Sequence, residues 1–347
     1  MQQRISDTHT EWAIVKRMVH YVSLRKLVNA AAIYSSYYLS LWLRRPLMWG
    51  KPISLSVEPT TSCNLRCPEC PSGLRSFTRP TGMLEMPVFA KLMQETQGHL
   101  LYLNLYFQGE PYLHPGFLEL IARAHHHKVY TSTSTNAHYL TPEVAEQTVM
   151  SKLDRLIISI DGITQEVYEQ YRIGGKLDKV LEGTRNVVEA RKRHSESTLR
   201  IIFQFLVVKP NEHQIPQVLE LARAIGVDEV LFKTAQVYNY ENGNPLIPEN
   251  AQYSRYVKQA NGKWKLKGTL LNQCWRMWHS AVLTWDGKVV PCCFDKDAQH
   301  EMGKFPESSL NAIWKSKTYK TFRSQLLKGR QEIDICRNCS EGTKVWA

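Results

Sequence analysis

At 347 residues, with 43% hydrophobic and 22% charged side chains, the chain has room for one large domain and a smaller one and is too apolar to be disordered. Its eight cysteines are not a small disulfide scaffold: they cluster at 63/67/70, 274, 292/293 and 336/339, spacings that suit metal ligation in a reducing compartment. The net charge of +12 is uneven, since residues 1–51 carry eight Lys/Arg against two Asp/Glu.

That basic segment lacks the basic, apolar, small-residue order of a cleavable signal. Its apolar run, residues 27–43, is uncharged for 17 residues between Arg25-Lys26 and Arg44-Arg45, the short limit for a bilayer span. Asn29, Ser36 and Ser40 fall on one helical stripe, and Tyr34, Tyr37, Tyr38 and Trp42 add amphipathic rings. Two readings follow. Residues 12–45 form either an interfacial helix, peripheral at the inner face of the membrane of a cytoplasmic protein, or a helix packed on the body of the chain. No RNA or DNA module accompanies the basic face, so nucleic acid is not an expected partner.

From Lys51 the pattern is strand then helix, repeated. Strands are expected at residues 53–58, 101–107, 129–135, 156–160, 199–208 and 229–234. Helices are expected at 86–97, 116–127, 142–152, 165–171, 178–194 and 215–225. Six such units imply an α/β fold with a parallel sheet, helices on its outer face and chemistry at the carboxyl ends of the strands. Residues 236–272, rich in Asn, Gly, Pro and Lys, read as a bridge with little regular structure. Beyond them one hairpin is signalled at 282–290, turning on Asp286-Gly287. The domains read as 1–50, a basic amphipathic helical extension; 51–235, the α/β core; 236–272, the bridge; and 273–347, a cysteine-rich domain.

The strongest motif is Cys63-Asn-Leu-Arg-Cys67-Pro-Glu-Cys70. Three thiolates can hold three irons of a [4Fe-4S] cube and leave the fourth iron open to bind a small molecule. Structural zinc suits the spacing less well, because it wants a closed tetrahedral set.

This loop, after the first strand of a β/α repeat, resembles the radical S-adenosylmethionine superfamily over about residues 53–235. The resemblance implies a partial (β/α)6 TIM-type barrel. It also implies S-adenosylmethionine on the open iron, a 5′-deoxyadenosyl radical, and hydrogen abstraction from a carbon of the substrate. An electron donor such as a flavodoxin or ferredoxin is implied as a partner. Glu69 stands where relatives usually have an aromatic residue. Gln108-Gly109-Glu110-Pro111 is similar to the family's Gly-Gly-Glu-Pro, which receives the methionine ammonium, with Gln108 replacing the first glycine. Ser134 and Asn136 end the third strand, Ser159 and Asp161 the fourth, and Arg172 follows; all are implied cofactor contacts.

Cys274, Cys292, Cys336 and Cys339 supply a second set of four. The stretch from Cys274 to Gly287-Lys-Val-Val-Pro-Cys292 looks like the opening of the family's cysteine-rich extension, called SPASM when long and twitch when short. One auxiliary [4Fe-4S] cluster is implied, closed by four thiolates and handling electrons. Zinc on the same cysteines is the alternative. Cys293 reads either as a hydrogen donor to a substrate radical or as a small buried hydrophobe. Asp295 reads as a base or as a solvated loop residue. Thr343-Lys-Val-Trp-Ala347 lacks the Gly-Gly tail of the related molybdopterin cyclases.

The leading expectation is a dehydrogenase or epimerase acting on a modest-sized, sugar-like or lipid-linked small molecule. Two alternatives stand beside it: a peptide or protein maturase, and a non-enzymatic iron–sulfur or zinc-bound protein at the membrane.

Overall fold

The computed structural model describes residues 3–5 and 19–343. Residues 12–18 of the proposed membrane segment and 344–347 of the C-terminal tail lie outside the described residues.

Six strands run parallel in sequence order: β2 (Ser54–Val57), β3 (Tyr102–Asn104), β4 (Tyr130–Thr135), β5 (Arg155–Ser159), β6 (Arg200–Val207) and β7 (Glu229–Thr234). Their alternation sorts side chains by face. Leu55, Val57, Leu103, Leu156, Ile158, Phe203 and Phe205 join the main core with residues of the covering helices. Those helices are α2 (Met86–Thr96), α3 (Phe117–His126), α4 (Pro142–Met150), α5 (Gln165–Tyr171), α6 (Leu177–Arg193) and α7 (Ile215–Ile225), with α1 reserved for an N-terminal helix below. Turn chemistry sets their ends. Thr141 and Thr164 cap α4 and α5 by accepting from Val144 N and Val167 N, and Gly226 closes α7 at φ 91°.

β2 does not pair with β7, so the barrel is open, and both edges are occupied. β1 (Gln3–Ile5) pairs antiparallel with β7, a strand within a segment read as helical. On the other side, β10 (Ser280–Leu283) lies parallel to β2, Ser280 opposite Ser54. β10 also forms the expected hairpin with β11 (Lys288–Val290). β12 (Gly303–Lys304) completes a ten-stranded sheet. The C-terminal domain is therefore continuous with the barrel sheet. The bridge holds a separate hairpin, β8 (Tyr256–Lys258) with β9 (Trp264–Leu266).

Helix α1 (Leu24–Leu43) starts on Ser23, which accepts from Lys26 N, and stops at Arg44 in the left-handed region. Its polar stripe faces the protein. Ser36 and Ser40 are buried. Ser40 Oγ accepts from Leu47 N at 2.8 Å, Asn29 exchanges two hydrogen bonds with Lys51, and Trp278 Nε1 donates to Leu47 O at 2.9 Å. Tyr37 packs on Trp275 and Trp278. The face turned outward is the apolar one: Leu24, Leu27, Val28, Tyr34, Tyr38 and Trp42 are exposed, Trp42 by 79%. Among the described residues, no helix is long and apolar enough to cross a membrane.

Candidate active site

The Cys63 loop leaves β2 and is tied down by backbone bonds and two glycines. Cys70 starts a one-turn helix, Pro71–Leu74. A side chain on Gly73 would meet Cys67 N at 2.5 Å, and one on Gly109 (φ 74°) would meet Thr60 O at 2.2 Å. Gly109 N donates to Ser72 Oγ and Glu110 N to Ser62 O, so the end of the second β/α unit is pressed against the cysteine loop. A cavity at the carboxyl ends of the strands results, walled by Cys63, Cys67, Cys70, Gly109, Glu110, Ser134, Asn136, Ser159 and Arg172.

Glu110 is buried, and its carboxylate accepts from Thr135 Oγ1 (2.6 Å), Asn136 N (2.8 Å) and Tyr112 N (3.3 Å). Burial outweighs these donors and pushes its carboxyl up to about 7. Gln108 lies beside the cavity with its Oε1 3.7 Å from Cys70 Sγ. Asn136 Nδ2 reaches Asn64 Oδ1 at 2.7 Å, and the Ser134 and Ser159 hydroxyls are 3.4 Å apart.

Two expected roles change. Asp161 is fully buried behind the cavity wall: its Oδ2 accepts from Arg172 Nε at 2.5 Å and its Oδ1 from Leu206 N at 2.7 Å. It positions Arg172, whose Nη1 points at Cys67 Sγ (3.8 Å), and unlike Glu110 it does not line the cavity. Asp295 is 1% exposed rather than solvated, and its two oxygens accept from Gln299 N and His300 N. It fastens a loop and does not face the cavity.

In the C-terminal domain, Cys274, Cys292, Cys336 and Cys339 surround Arg330 or one another closely enough to perturb each other's ionisation. Burial pushes the Cys336 thiol up to about 11 and Cys339 to about 12. Such thiols ionise near neutrality only on a metal. Arg330 is 1% exposed and donates to Cys339 Sγ at 3.2 Å. No carboxylate pairs with it among the described residues, and its Nε has no partner. Burial works against its charge, and the thiolates of Cys274, Cys339 and Cys336 more than compensate. A charge so enclosed requires anions. Gly342 (φ 78°) completes the cradle, since a Cβ there would lie 2.5 Å from Cys274 Sγ.

The donor chemistry therefore fits iron–sulfur clusters at both places: three thiols with a cation and an open cavity, and three thiols around a buried guanidinium with Cys292 beside Cys274 and Cys339. Among the described residues, no three Cys, His, Asp or Glu side chains converge as ligands of one metal ion. A four-iron cube spreads its thiolates farther apart than one ion does, and the zinc alternative has no observation behind it.

Cys293 packs with Val282, Val290, Ala298 and Phe107, and Phe107 lines the cavity. The Cys292 thiol and, against burial, the Arg276 guanidinium (Nη1 to Sγ 3.7 Å) hold its pKa down to about 6.

Sequence reasoning missed the joint between the two halves. Arg79 makes a buried two-pronged pair with Glu58 at 2.6 and 2.8 Å and stacks over Phe77. Thr78 N donates to Asp297, and Trp285 Nε1 to Pro80 O. Asp297 is thus a clamp on the cysteine-loop side. Only the charged and aromatic residues in an otherwise loop-like stretch hinted at this contact.

A profile of the Radical SAM superfamily matches residues 57–229, and one described as the SPASM iron-sulfur cluster-binding domain matches 274–340. The chain is similar to the tungsten-containing aldehyde ferredoxin oxidoreductase cofactor-modifying protein of Pyrococcus furiosus, 24% identical over 82% of this chain and 86% of that one. It is also similar to the PqqA peptide cyclase of Gluconobacter oxydans, 25% identical over 85% of this chain and 84% of that one. Among solved structures, Streptococcus suis SuiB bound to precursor peptide SuiA shares the fold, with a TM-score of 0.60 at 14% identity over 84% of this chain and 70% of that one.

Proposed function

The chain belongs to the radical SAM superfamily and carries a SPASM iron–sulfur domain, and from that premise we propose that it is a maturase that removes hydrogen from a residue of a peptide. It is a radical SAM enzyme, and S-adenosylmethionine and iron–sulfur clusters are its cofactors. The observation that carries the peptide reading is similarity to a peptide cyclase along 85% of this chain. The sugar-like or lipid-linked small molecule expected from sequence gives way to it.

When bound together, the cluster and S-adenosylmethionine supply one-electron cleavage and a hydrogen-abstracting carbon centre. The chain's own residues do the rest. Cys63, Cys67 and Cys70 hold the three-cysteine cluster, and Arg172 offsets thiolate charge beside Cys67. Glu110 holds the amine of the methionine moiety, and Ser134, Asn136 and Ser159 offer hydrogen bonds to its polar groups. Gln108 borders Cys70. Tyr106 and Phe107 give the cavity an aromatic wall. Cys274, Cys292, Cys336 and Cys339 would hold one auxiliary cluster, which would supply an electron acceptor suited to net oxidation, and a flavodoxin- or ferredoxin-type protein would be the electron donor.

The test is anaerobic incubation of the reconstituted chain with S-adenosylmethionine and the small peptides encoded beside its gene. A peptide lighter by two hydrogens, formed with equimolar 5′-deoxyadenosine, is the expected result. Oxidation of free sugars with every peptide unchanged would refute the reading.

The outward face of α1 supports a second proposal, contact with an anionic lipid surface. Leu24, Leu27, Val28, Tyr34, Tyr38 and Trp42 form one exposed apolar face, and exposed Arg25, Arg44 and Arg45 flank it. Amphipathic rings between cations suit the headgroup boundary of a bilayer.

A further inference from the structure

Strand parity decides what faces the barrel lumen. Leu156, Ile158, Phe203, Phe205, Val230 and Phe232 point outward into the helical layer, so Arg155, Gln204 and Lys233 point inward. The interior of a TIM-type barrel is ordinarily filled by branched apolar layers. Here it holds cations.

Arg155 lies within electrostatic reach of Tyr102 and of Tyr106, which walls the cofactor cavity. Lys233 lies near Arg155, Arg276 and Glu341, and among the described residues no carboxylate comes within ion-pair distance of it. From the C-terminal half, Arg276 Nη2 and Arg255 Nη2 reach the Glu341 carboxylate at 2.6 and 3.9 Å. The Arg255 side chain is only 8% exposed, and its Nη1 has no hydrogen-bond partner. Arg276 and Glu341 keep 40% of their side chains exposed, and the Cys293 thiol lies 3.7 Å from Arg276 Nη1; the cations still outnumber these two acidic groups, and the buried one, Arg255, has a donor to spare.

We propose that Arg155, Lys233, Arg255 and Arg276 form an anion subsite beside the cofactor cavity that takes a carboxylate of the substrate. With a peptide substrate, the reading on which this choice of ligand rests, the carboxylate is the side chain of an Asp or Glu next to the reacting residue. Glu341 is the internal counter-ion that it supplements. The planar guanidinium forks accept a carboxylate edge-on, and the ammonium of Lys233 adds a point charge. No bond is made or broken there: the subsite orients the peptide so that one carbon faces the cavity.

The test is thermal unfolding of the reconstituted full chain with S-adenosylmethionine, titrated with N-acetylglutamate amide, N-acetylglutamine amide or N-acetylglycine. The first should raise the unfolding temperature and the second should not. In Lys233→Met and Arg155→Gln the half-saturating concentration should rise about tenfold or more, the loss of one charge-assisted contact. Equal responses to the glutamate and glutamine amides, or unchanged titrations in both variants, would overturn the subsite. A response to N-acetylglycine matching that to the glutamate amide would overturn the side-chain assignment in favour of a chain terminus. Failure of the peptide reading is separable: the glutamate amide would still bind while no peptide is modified.

Discussion

Arg172 Nε lies 2.5 Å from Asp161 Oδ2, and this pairing turns the opposite end of the guanidinium toward Cys67 Sγ, 3.8 Å from Nη1. The cation beside the three-cysteine site is therefore oriented by a carboxylate that lies behind the cavity wall. Asp161→Asn should cost about 3 kcal/mol of stability, as expected when one member of a buried pair is removed, and should weaken S-adenosylmethionine binding. Urea unfolding of the apo chain and equilibrium binding to the reconstituted chain measure the two effects. Full stability with normal binding would contradict the arrangement.

Glu110 predicts opposite pH trends for stability and binding. Its folded-state pKa, raised to about 7 by burial, lies above the ordinary 4.5. The stability it contributes is fully present below about pH 4.5 and is lost as pH rises through 7, on the order of 3 kcal/mol. Attraction for the methionine ammonium grows over the same range. In Glu110→Gln both slopes should flatten, as followed by denaturation and ligand titration from pH 5 to 8.

Arg330→Met should lower the iron bound after reconstitution from ~8 to ~4 per chain, the loss of one four-iron cluster. Iron analysis and the visible absorption of the reduced and oxidised protein report it. Retention of all the iron would mean that Arg330 does not counterbalance the Cys274, Cys336 and Cys339 thiolates.

Replacing Leu27, Tyr34 and Trp42 together by Ser should abolish co-sedimentation with vesicles rich in phosphatidylserine and leave the fold intact, because these side chains face outward. Vesicles of neutral lipid should bind the unaltered chain weakly, since Arg25, Arg44 and Arg45 then lack a partner charge. Equal binding by the triple variant would remove the lipid proposal.

The repeated part of the fold was legible in the sequence because strand and helix periods differ. The helices at 165–171 and 215–225 and the strand at 229–234 carry unmixed patterns and lie where expected. The two iron–sulfur domains were legible because cysteine clusters such as Cys63, Cys67 and Cys70 are local in sequence. Pairings between distant segments were not. Nothing in Ser280–Leu283 tells that it lies beside Ser54–Val57, and Gln3–Ile5 has no period long enough to mark a strand. The stripe of Asn29, Ser36 and Ser40 was visible, but which side of α1 faced the protein depended on hydrogen bonds to Leu47, Lys51 and Trp278. Asp161 and Asp295 were misread for a related reason. A carboxylate near a strand end looks alike in sequence whether it lines the cavity, as Glu110 does, or lies behind its wall.

The central claim, hydrogen removal from a peptide carbon by this chain, is tested most directly by isotope transfer. The substrate peptide is made with deuterium on its side-chain and α carbons and incubated with the reduced, reconstituted enzyme and S-adenosylmethionine. The account predicts one deuterium in the 5′-deoxyadenosine formed and a matching loss from the peptide. Deuterium-free 5′-deoxyadenosine alongside a modified peptide would contradict it.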